Sequence, residues 1–369
     1  MYFSPKTSAD GLVFHYDTGN TVRSYLGEPT VNLVNPNWSA WSVDGSGQGT
    51  IGTRTLLSTY HCRIVDVVAN TRQYIFVEGV SASTQYTFSV KFLKITGAPT
   101  LRFQLQAYNG GNYISAWFPT TVQIGVADID GWQTAYYTVT TPANTTRVLW
   151  FMQDGDDYTT YTHSFELKEP QAEAKSHPTQ FTTGTRSATQ GLKDLTAANT
   201  INLSNVSFDS NAQMTFDGTD DLIDVTTNLG TLSAYTFEYV SYSNSAGNMP
   251  LSSRTSTAFY KYGAYSWRYT HGGVGGEFYH SYGSDTGWAH WVITYDGATI
   301  KVYENNISKG TSASSGTADF TGGIRIGSWT SSASYTWDGT IPIMKMYNRA
   351  LTSNEIQQNF NAYKKRFNL

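Results

Sequence analysis

The sequence has few cysteines, few charges and no long apolar run. Cys62 is the single cysteine, which excludes an internal disulfide. Charged residues make up 14% of the 369 and the formal net charge is −4, which gives no indication of the clustered positive field that a nucleic-acid-binding surface needs. No stretch is apolar over the roughly 20 residues that a membrane-spanning helix needs. We therefore expect no disulfide scaffold, no nucleic-acid partner and no membrane insertion.

A secretion signal is also lacking at the N-terminus of this sequence. Residues 1–6, MYFSPK, have neither the basic region nor the apolar region of a signal peptide. We therefore expect synthesis in the cytosol without export by the common secretory route.

Aromatic residues and glycine, by contrast, are abundant. Aromatic residues make up 15% of the chain, and 33 residues are glycine. This composition favours short, half-buried strands joined by tight turns, and it disfavours a helical protein. The length is sufficient for two β-sandwich domains.

Alternation of apolar and polar side chains predicts strands in the first half of the chain. Segment 86–92 has one apolar face, formed by Tyr86, Phe88, Val90 and Phe92. Segment 101–108 has an apolar face and a polar face, formed respectively by Leu101, Phe103, Leu105 and Ala107 and by Arg102, Gln104, Gln106 and Tyr108. Further strands are expected near 132–139, 147–153 and 164–167.

Five motifs follow one another in the second half of the chain. They are FDGTDD (216–221), WAHWVITYDG (288–297), IRIG (324–327), WDGTI (337–341) and YNRALT (347–352). In this order they resemble the jelly-roll sandwich that laminin-G domains, legume-type lectins and related glucanases share. The resemblance implies a concanavalin A-like antiparallel sandwich over residues 184–369. Its central strand, 288–295, would have one face in the core and one partly covered, with His290 in a structural role.

The first half resembles a different jelly roll. Through GVSASTQYTFSVK (79–91) and Gly131-Trp132, residues 31–183 resemble the carbohydrate-binding modules of glycan-active proteins. The segments PQAE (170–173) and FTTGTRS (181–187) resemble the end of such modules in structural proteins of tailed bacteriophages.

The lectin-like sandwich is expected to be discontinuous. Within residues 1–30, GLVFHYDTGN (11–20) resembles the leader strand of phage laminin-G-like proteins, in which a DLSGN-type turn soon follows. Here the corresponding DLTAAN (194–199) comes far later in the chain. We infer that module 31–183 is inserted into a sandwich formed by residues 1–30 and 184–369, with both junctions close together in space.

The C-terminus predicts one helix, over residues 352–367. Thr352 as N-cap and Glu355 three residues later form a capping box. The apolar stripe consists of Ile356, Phe360, Tyr363 and Phe367. We expect this stripe to pack on the sandwich, with a subunit contact as the alternative.

The usual local signatures of catalysis are absent. Glucanases of this sandwich use Glu-x-Asp-x-x-Glu, which directs alternate carboxylates into one cleft. This chain has no Glu-x-Asp, and Glu238 lacks partner carboxylates on its strand face. His61 and Cys62 point to opposite faces of a strand, so Cys62 is expected to be a buried structural thiol. We predict that the protein is not an enzyme. Carboxylates or a Ser-His-Asp triad converging from distant loops are the alternative that sequence leaves open.

Two Asp-rich turns offer hard oxygen ligands of the kind that calcium prefers. Asp154, Asp156 and Asp157 form the candidate metal site. A second cluster consists of Asp217, Asp220 and Asp221. Neither has EF-hand spacing, so solvated turns are the competing interpretation. We predict no cofactor, with calcium as the candidate ion.

Sugar binding needs aromatic rings that stack on pyranose faces and planar groups that reach hydroxyls. In the module, the candidate glycan-binding residues are Arg102, Gln104, Gln106, Tyr108, Tyr113 and Trp117. In the lectin-like sandwich they are Trp329, Tyr335 and Trp337. A solvated polar sheet face is the alternative for the first set, and core or subunit-contact positions are the alternative for the second.

Together these patterns predict an all-β protein of two antiparallel jelly-roll sandwiches with a short C-terminal helix. The resemblances imply a non-enzymatic virion protein of a tailed phage, in a fibre, the tail or a capsid decoration, released by lysis. The expected partners are host or environmental glycans, other virion proteins and further copies in a homo-oligomer. The alternatives are a purely architectural virion protein, whose sandwich faces bind other subunits, and a polysaccharide-degrading enzyme or its accessory module.

Overall fold

The computed structural model describes residues 7–46, 52–66, 70–97, 99–117, 122–154, 163–244, 250–254, 258–262, 266–271, 274–279, 287–329 and 336–369. The chain divides into two compact units. Unit 1 comprises Met1–Pro29, Ser187–Asp209 and Gln213–Leu369, and unit 2 comprises Thr30–Arg186 and Ser210–Ala212. Unit 2 thus begins one residue before the predicted module and runs three residues beyond its predicted end.

The elements are numbered along the chain. Unit 1 begins with strand β1 (Leu12–Asp17). The strands of unit 2 are β2 (Thr30–Val31), β3 (Ser42–Ser46), β4 (Thr53–Ser58), β5 (His61–Asp66), β6 (Asn70–Glu78), β7 (Gln85–Thr96), β8 (Leu101–Asn109), β9 (Asn112–Trp117), β10 (Gln123–Ile124), β11 (Gln133–Thr140), β12 (Arg147–Asp154), β13 (His163–Glu173) and β14 (Thr185–Arg186), with a 3-10 turn at Trp38–Ala40.

The remaining elements belong to unit 1. Its strands continue as β15 (Ile201–Asn205), β16 (Ser207–Phe208), β17 (Met214–Asp217), β18 (Leu222–Val225), β19 (Thr231–Leu232), β20 (Tyr235–Ser243), β21 (Leu251–Ser253), β22 (Ala258–Tyr262), β23 (Ser266–His271), β24 (Val274–Tyr279), β25 (Gly287–Tyr295), β26 (Thr299–Glu304), β27 (Ile307–Ala313), β28 (Ala318–Asp319), β29 (Ile324–Ile326) and β30 (Asp338–Tyr347). The helix α1 is Ser353–Phe367.

Unit 1 is a sandwich of two antiparallel sheets. One sheet has the order β16-β17-β30-β20-β25-β26-β27, with β1 also paired to β30, and the other has the order β15-β18-β29-β21-β22-β23-β24. Alternate residues of β25, including Trp291 and Ile293, lie in the core between the sheets. The prediction of an all-β sandwich is confirmed.

Strand β1 is held in unit 1 by the turn at 194–199. It pairs with β30, and Asp194 Oδ1 accepts the His15 N–H at 2.9 Å. Asn199 Nδ2 donates to the Val13 carbonyl at 2.8 Å. The turn that the sequence separates from its leader strand is therefore hydrogen-bonded to that strand.

Helix α1 packs on the sheet that contains β20 and β25, on the side that points away from the unit 1 core. The predicted capping box between Thr352 and Glu355 is present, so both side chains satisfy backbone N–H groups of the first turn. Tyr363 and Phe367 pack with Val240 of β20. The prediction that the stripe packs on the sandwich is confirmed.

Unit 2 is a second antiparallel sandwich. Its sheets have the orders β10-β11-β7-β13-β5-β4 and β3-β6-β12-β8-β9. Trp150 of β12 is fully buried, and its ring lies 5.3 Å from that of Phe88 and 5.1 Å from that of Phe103. Cys62 is buried in the same core, as predicted.

The chain enters and leaves unit 2 at adjacent positions. Strands β2 and β14 pair antiparallel, with Thr30 opposite Arg186. The buried Glu173 accepts hydrogen bonds from the Thr30 hydroxyl at 2.7 Å and from the Thr179 N–H at 2.8 Å. These contacts hold the two ends of unit 2 next to each other, which the insertion of one domain into another requires.

The last long strand of unit 2 differs from the prediction. We expected it to end at Leu167, but β13 continues past Pro170 to Glu173. Its register with β7 shifts between Lys168 and Gln171. Proline lacks an N–H group, and this irregularity places Pro170 where none is needed. The predicted strand 164–167 was too short because the sequence does not show this bulge.

Across the described ranges, no helix is long and apolar enough to cross a membrane.

Candidate functional site

The site that best matches the sequence prediction is the outer face of the β3-β6-β12-β8-β9 sheet in unit 2. We call outer face the side chains that this sheet directs away from the unit 2 core. It comprises Arg72, Tyr74, Phe76 and Glu78 of β6, Arg147, Leu149, Phe151 and Gln153 of β12, Arg102, Gln104, Gln106 and Tyr108 of β8, and Tyr113 and Ala116 of β9.

Period-2 alternation makes this face. On β8, Leu101, Phe103 and Leu105 are at most 6% exposed and belong to the unit 2 core. The residues between them must point to the opposite side of the sheet, because successive strand side chains alternate. Arg102 is exposed, and Gln104 and Gln106 are half-buried.

Cross-strand register orders the face into rows. Arg147 lies between Glu78 and Tyr108, and Tyr113 lies beyond Tyr108. In the next rows Leu149 is opposite Gln106 and Phe151 is opposite Gln104, while Gln153 is opposite Arg102. Adjacent strands are about 4.8 Å apart and successive rows about 6.6 Å apart.

Aromatic rings form a connected group of three and a separate pair on this face. The Tyr108 ring lies 5.5 Å from that of Phe76 and 5.8 Å from that of Tyr113, both edge to face. Tyr74 and Phe151 form a second pair at 5.3 Å. Tyr113 is 57% exposed and Phe76 is 36% exposed, so ring surface is open to a ligand.

Polar groups lie among these rings. The Tyr108 hydroxyl donates to Gln106 Oε1 at 2.9 Å, which orients the amide. The Arg147 guanidinium lies 4.0 Å from the Phe76 ring centroid and 3.5 Å from a Glu78 carboxylate oxygen. Rings and planar hydrogen-bonding groups therefore occur together, as stacking on a sugar requires.

Two predicted site residues do not lie on the outer face. Trp117 pairs with Leu105 and packs against the unit 2 core, because a bulge after Tyr113 moves it to the inner side of β9. Trp337 is fully buried in the unit 1 core. A fully buried ring cannot stack on a sugar, so the assignment of Trp337 was wrong. Trp117 is half-buried and lies on the side of β9 opposite to the other residues of its set.

The other two residues of the lectin-like set stay predictions. Trp329 is half-buried. Tyr335 lies outside the described residues.

Sequence reasoning missed Tyr74, Phe76, Phe151 and Arg147. The signal was present in NTRQYIFVE (70–78), where Arg72, Tyr74 and Phe76 alternate with core residues. It could not reveal that β6 and β12 lie beside β8, because strand order is a tertiary property.

The two metal sites stay predictions. Asp156 and Asp157 lie outside the described residues, as does the side chain of Asp154. In the second cluster, ligand oxygens of Asp217, Asp220 and Asp221 lie within 4.8 Å of one another. Asp221 accepts hydrogen bonds from Ser207 and from the Asp217 N–H, which is the behaviour of a carboxylate that stabilises a turn.

Glu238, the nearest candidate for a catalytic carboxylate, is fully buried beneath helix α1. Its oxygens accept hydrogen bonds from His290 Nε2 at 3.0 Å and from Asn359 Nδ2 at 2.6 Å, and Lys345 Nζ is 3.8 Å away. Burial alone would raise the pKa of Glu238, but Lys345, His290 and Asn359 outweigh it and hold the pKa at about 2. This carboxylate and His290 are structural, with no access to a substrate.

Comparison with known proteins yields a family match for part of unit 1. Residues 217–357 match the family model Laminin_G_3, of the concanavalin A-like lectin/glucanases superfamily. No curated protein matches the chain.

The solved structures to which this chain is similar include two toxin domains and a phage protein. The binding domain of Paraclostridial Mosquitocidal Protein 1 is 15% identical, with 47% of this chain and 49% of that chain covered and a TM-score of 0.37. The binding domain of botulinum neurotoxin DC in complex with SialylT is 14% identical, with 46% and 48% covered and a TM-score of 0.37. The enzymatically active domain of bacteriophage CBA120 tailspike protein 4 is 12% identical, with 38% and 21% covered and a TM-score of 0.29.

This chain spans about half the length of the two toxin domains that it matches. At these scores the structural similarities assign no function to it. The family match and the sheet topology agree for unit 1: residues 217–357 have a concanavalin A-like lectin fold.

Proposed function

We propose that this protein binds carbohydrate, without catalysis, through the outer face of unit 2. The observation that carries the proposal is the connected ring group of Phe76, Tyr108 and Tyr113 beside the amides of Gln104 and Gln106. The rings would stack on pyranose faces while the amides exchange hydrogen bonds with hydroxyls. The lectin-like fold of unit 1 supports a binding role for the whole chain.

The test is a glycan array probed with the wild type and with the variant Gln104→Ala/Gln106→Ala/Tyr108→Ala. Each lost contact is worth about 1 kcal/mol, so the affinity for the bound glycan should fall by about 100-fold. The array is run with and without calcium, because calcium prefers hard oxygen ligands and the Asp-rich turns of this chain offer them.

The matched control is Thr53→Ala/Thr55→Ala/Leu57→Ala, which changes three exposed residues of β4 in the opposite sheet of the same unit. Its binding should equal that of the wild type. If the control also loses binding, the loss in Gln104→Ala/Gln106→Ala/Tyr108→Ala is not specific to the outer face and is explained by unfolding of unit 2. If Gln104→Ala/Gln106→Ala/Tyr108→Ala binds as tightly as the wild type, the site lies elsewhere.

The absence of catalysis has its own test. No Glu-x-Asp occurs in the chain, and Glu238 is buried under α1. Incubation with the glycans that bind should release no sugar. Release of reducing ends would replace the proposal by a polysaccharide-degrading activity.

We further propose that the protein acts on the surface of a tailed-phage virion, as a fibre, tail or decoration component and as a homo-oligomer. The sequence resemblance of segments 11–20 and 170–187 to phage structural proteins supports this setting. Peptides of the chain should be found in purified particles, and light scattering should give a mass above the 40.8 kDa of one chain. An outer face that binds no glycan in an assembled particle would favour the architectural role, in which this face contacts other subunits.

A further inference from the structure

The outer face carries three arginines, and carboxylate residues pair with two of them: Glu78 is opposite Arg147, and Asp44 of β3 is opposite Arg72. The chain as a whole has a formal net charge of −4. On this face, however, each of three adjacent strands contributes an arginine: Arg72 on β6, Arg147 on β12 and Arg102 on β8. Of these three, only Arg102 has no carboxylate residue among its described register partners.

Two of these arginines are engaged within the face. Arg147 lies over the Phe76 ring and near Glu78. The Arg72 guanidinium lies 5.1 Å from the centroid of the Phe151 ring. Each of these two guanidinium groups is therefore in cation–π distance of an aromatic ring of the same face.

Arg102 differs from these two. It is exposed, and within the described part of the chain no hydrogen bond, ion pair or ring contact engages its guanidinium. Its cross-strand neighbour is Gln153, and the next outward side chain on β8 is Gln104. Both neighbours are neutral amides, so no described neighbour in this register carries a charge opposite to that of Arg102.

A guanidinium in this position fits one ligand group particularly well. Its planar fork donates two parallel hydrogen bonds to a carboxylate, and the amides of Gln104 and Gln153 are placed to bind the hydroxyls around it. An exposed ion pair alone contributes little, and the two charge-assisted hydrogen bonds of the fork strengthen it. The ring group at the other end of β8 supplies the rest of the binding free energy by holding the ligand in place.

The length of the face sets the size of the ligand. Arg102 and Tyr108 are six residues apart on one strand, which corresponds to about 20 Å. A ligand that reaches both is therefore an oligosaccharide of several residues rather than a single sugar.

We propose that the outer face selects carboxylated oligosaccharides, with Arg102 receiving the carboxylate and the Phe76, Tyr108 and Tyr113 rings stacking on more distant sugar residues. This inference rests on the proposed function, because it names the ligand class of the same face.

The experiment uses the full chain and a panel of uronate- and sialate-containing polysaccharides. Each polysaccharide is measured intact and after reduction of its carboxyl groups to primary alcohols, beside sulfated and neutral glycans. At low salt, the wild type should bind at least one intact polysaccharide about tenfold or more tightly than its reduced form, which corresponds to about 1.4 kcal/mol.

Three variants identify the residue responsible. Arg102→Gln should remove the preference for the intact form and leave binding of the reduced form unchanged. Arg102→Lys should keep part of the preference, because an ammonium group offers charge without the fork. The matched control is Arg23→Gln, an exposed arginine of unit 1, which should behave as the wild type. Equal thermal unfolding of the variants shows that each is folded.

The outcomes separate the two proposals. Equal binding of intact and reduced polysaccharides, or a preference for the intact form that survives in Arg102→Gln, would overturn the carboxylate proposal while carbohydrate binding stands. Equally tight binding of sulfated glycans would overturn selection for carboxylates. If no glycan of the panel binds, both proposals fail.

Discussion

Gly327 and Gly339 lie where the backbone takes a positive φ, at +93° and +134°, and where neighbours leave no room for a side chain. A Cβ on Gly327 would overlap the Phe216 ring, and one on Gly339 would overlap the Tyr242 carbonyl oxygen. Both glycines belong to motifs that carry the lectin-like resemblance, so backbone geometry explains why these motifs contain glycine.

A pair of variants separates backbone strain from steric overlap. Gly316 has φ +92°, almost the same as Gly327, but nothing lies within 4 Å of its missing Cβ. Gly316→Ala should lower the free energy of unfolding by about 1 kcal/mol through strain alone. Gly327→Ala should cost about 1–3 kcal/mol more, because the Phe216 ring must move. Urea denaturation of both variants measures the difference, and equal losses would contradict the overlap.

At the scale of elements, helix α1 covers one side of the unit 1 sheet that contains β20 and β30, the side that points away from the unit 1 core. It covers a polar layer in which Glu238 and Lys345 are both fully buried. Buried charges are tolerated when they are paired and hydrogen-bonded, and Asn359 of the helix supplies one of these hydrogen bonds. The helix therefore completes the electrostatics of the sheet as well as its packing.

His15, which is opposite Lys345 in the β1–β30 pair, makes this layer sensitive to acid. Burial lowers the pKa of His15 from 6.5 to about 4, and Lys345 acts in the same direction, against weaker opposing effects of Asp17, Glu238 and Asp194. As the pH falls from 6.5 to 4, the unfolded chain binds this proton before the folded protein does. The free energy of unfolding must therefore decrease across that window.

The variant His15→Gln should lose part of this dependence. Denaturation curves between pH 7 and pH 4 should show a slope that is shallower by up to about 1.4 kcal/mol per pH unit. Some slope remains, because burial also lowers the pKa of His271. Parallel stability curves for the variant and the wild type would show that His15 titrates normally in the folded protein.

At the scale of the whole molecule, each unit has its own hydrophobic core. The unit 1 core contains Ile293, the unit 2 core contains Trp150, and the two clusters share no residue. We therefore expect the two units to unfold in separate transitions.

Cys62 reports on unit 2 alone, since it is the single cysteine and lies in that core. Burial raises the pKa of its thiol to about 12, so alkylation near neutral pH requires unfolding. Trp150→Ala, which costs about 3–5 kcal/mol, should accelerate alkylation by at least about 100-fold. Ile293→Ala in unit 1 should leave the rate unchanged. Equal acceleration by both variants would mean that the units unfold together.

The sequence by itself determined the elements that depend on local order. Alternation in 101–108 predicted which side of β8 is buried, and the capping box predicted helix α1 because its partners are three residues apart. The sequence predicted neither the end of β13, beyond Pro170, nor the side of β9 on which Trp117 lies. Both depend on a bulge, and a bulge depends on the partner strand.

Only the tertiary structure decided which side chains share a surface. Trp337, just before β30, is fully buried, while Phe76 of β6 is 36% exposed. Phe76, Tyr108 and Arg147 come together because β12 lies between β6 and β8. Strand order follows from long-range pairing and from the packing of two sheets on one core, and the spacing of residues along the chain does not record it.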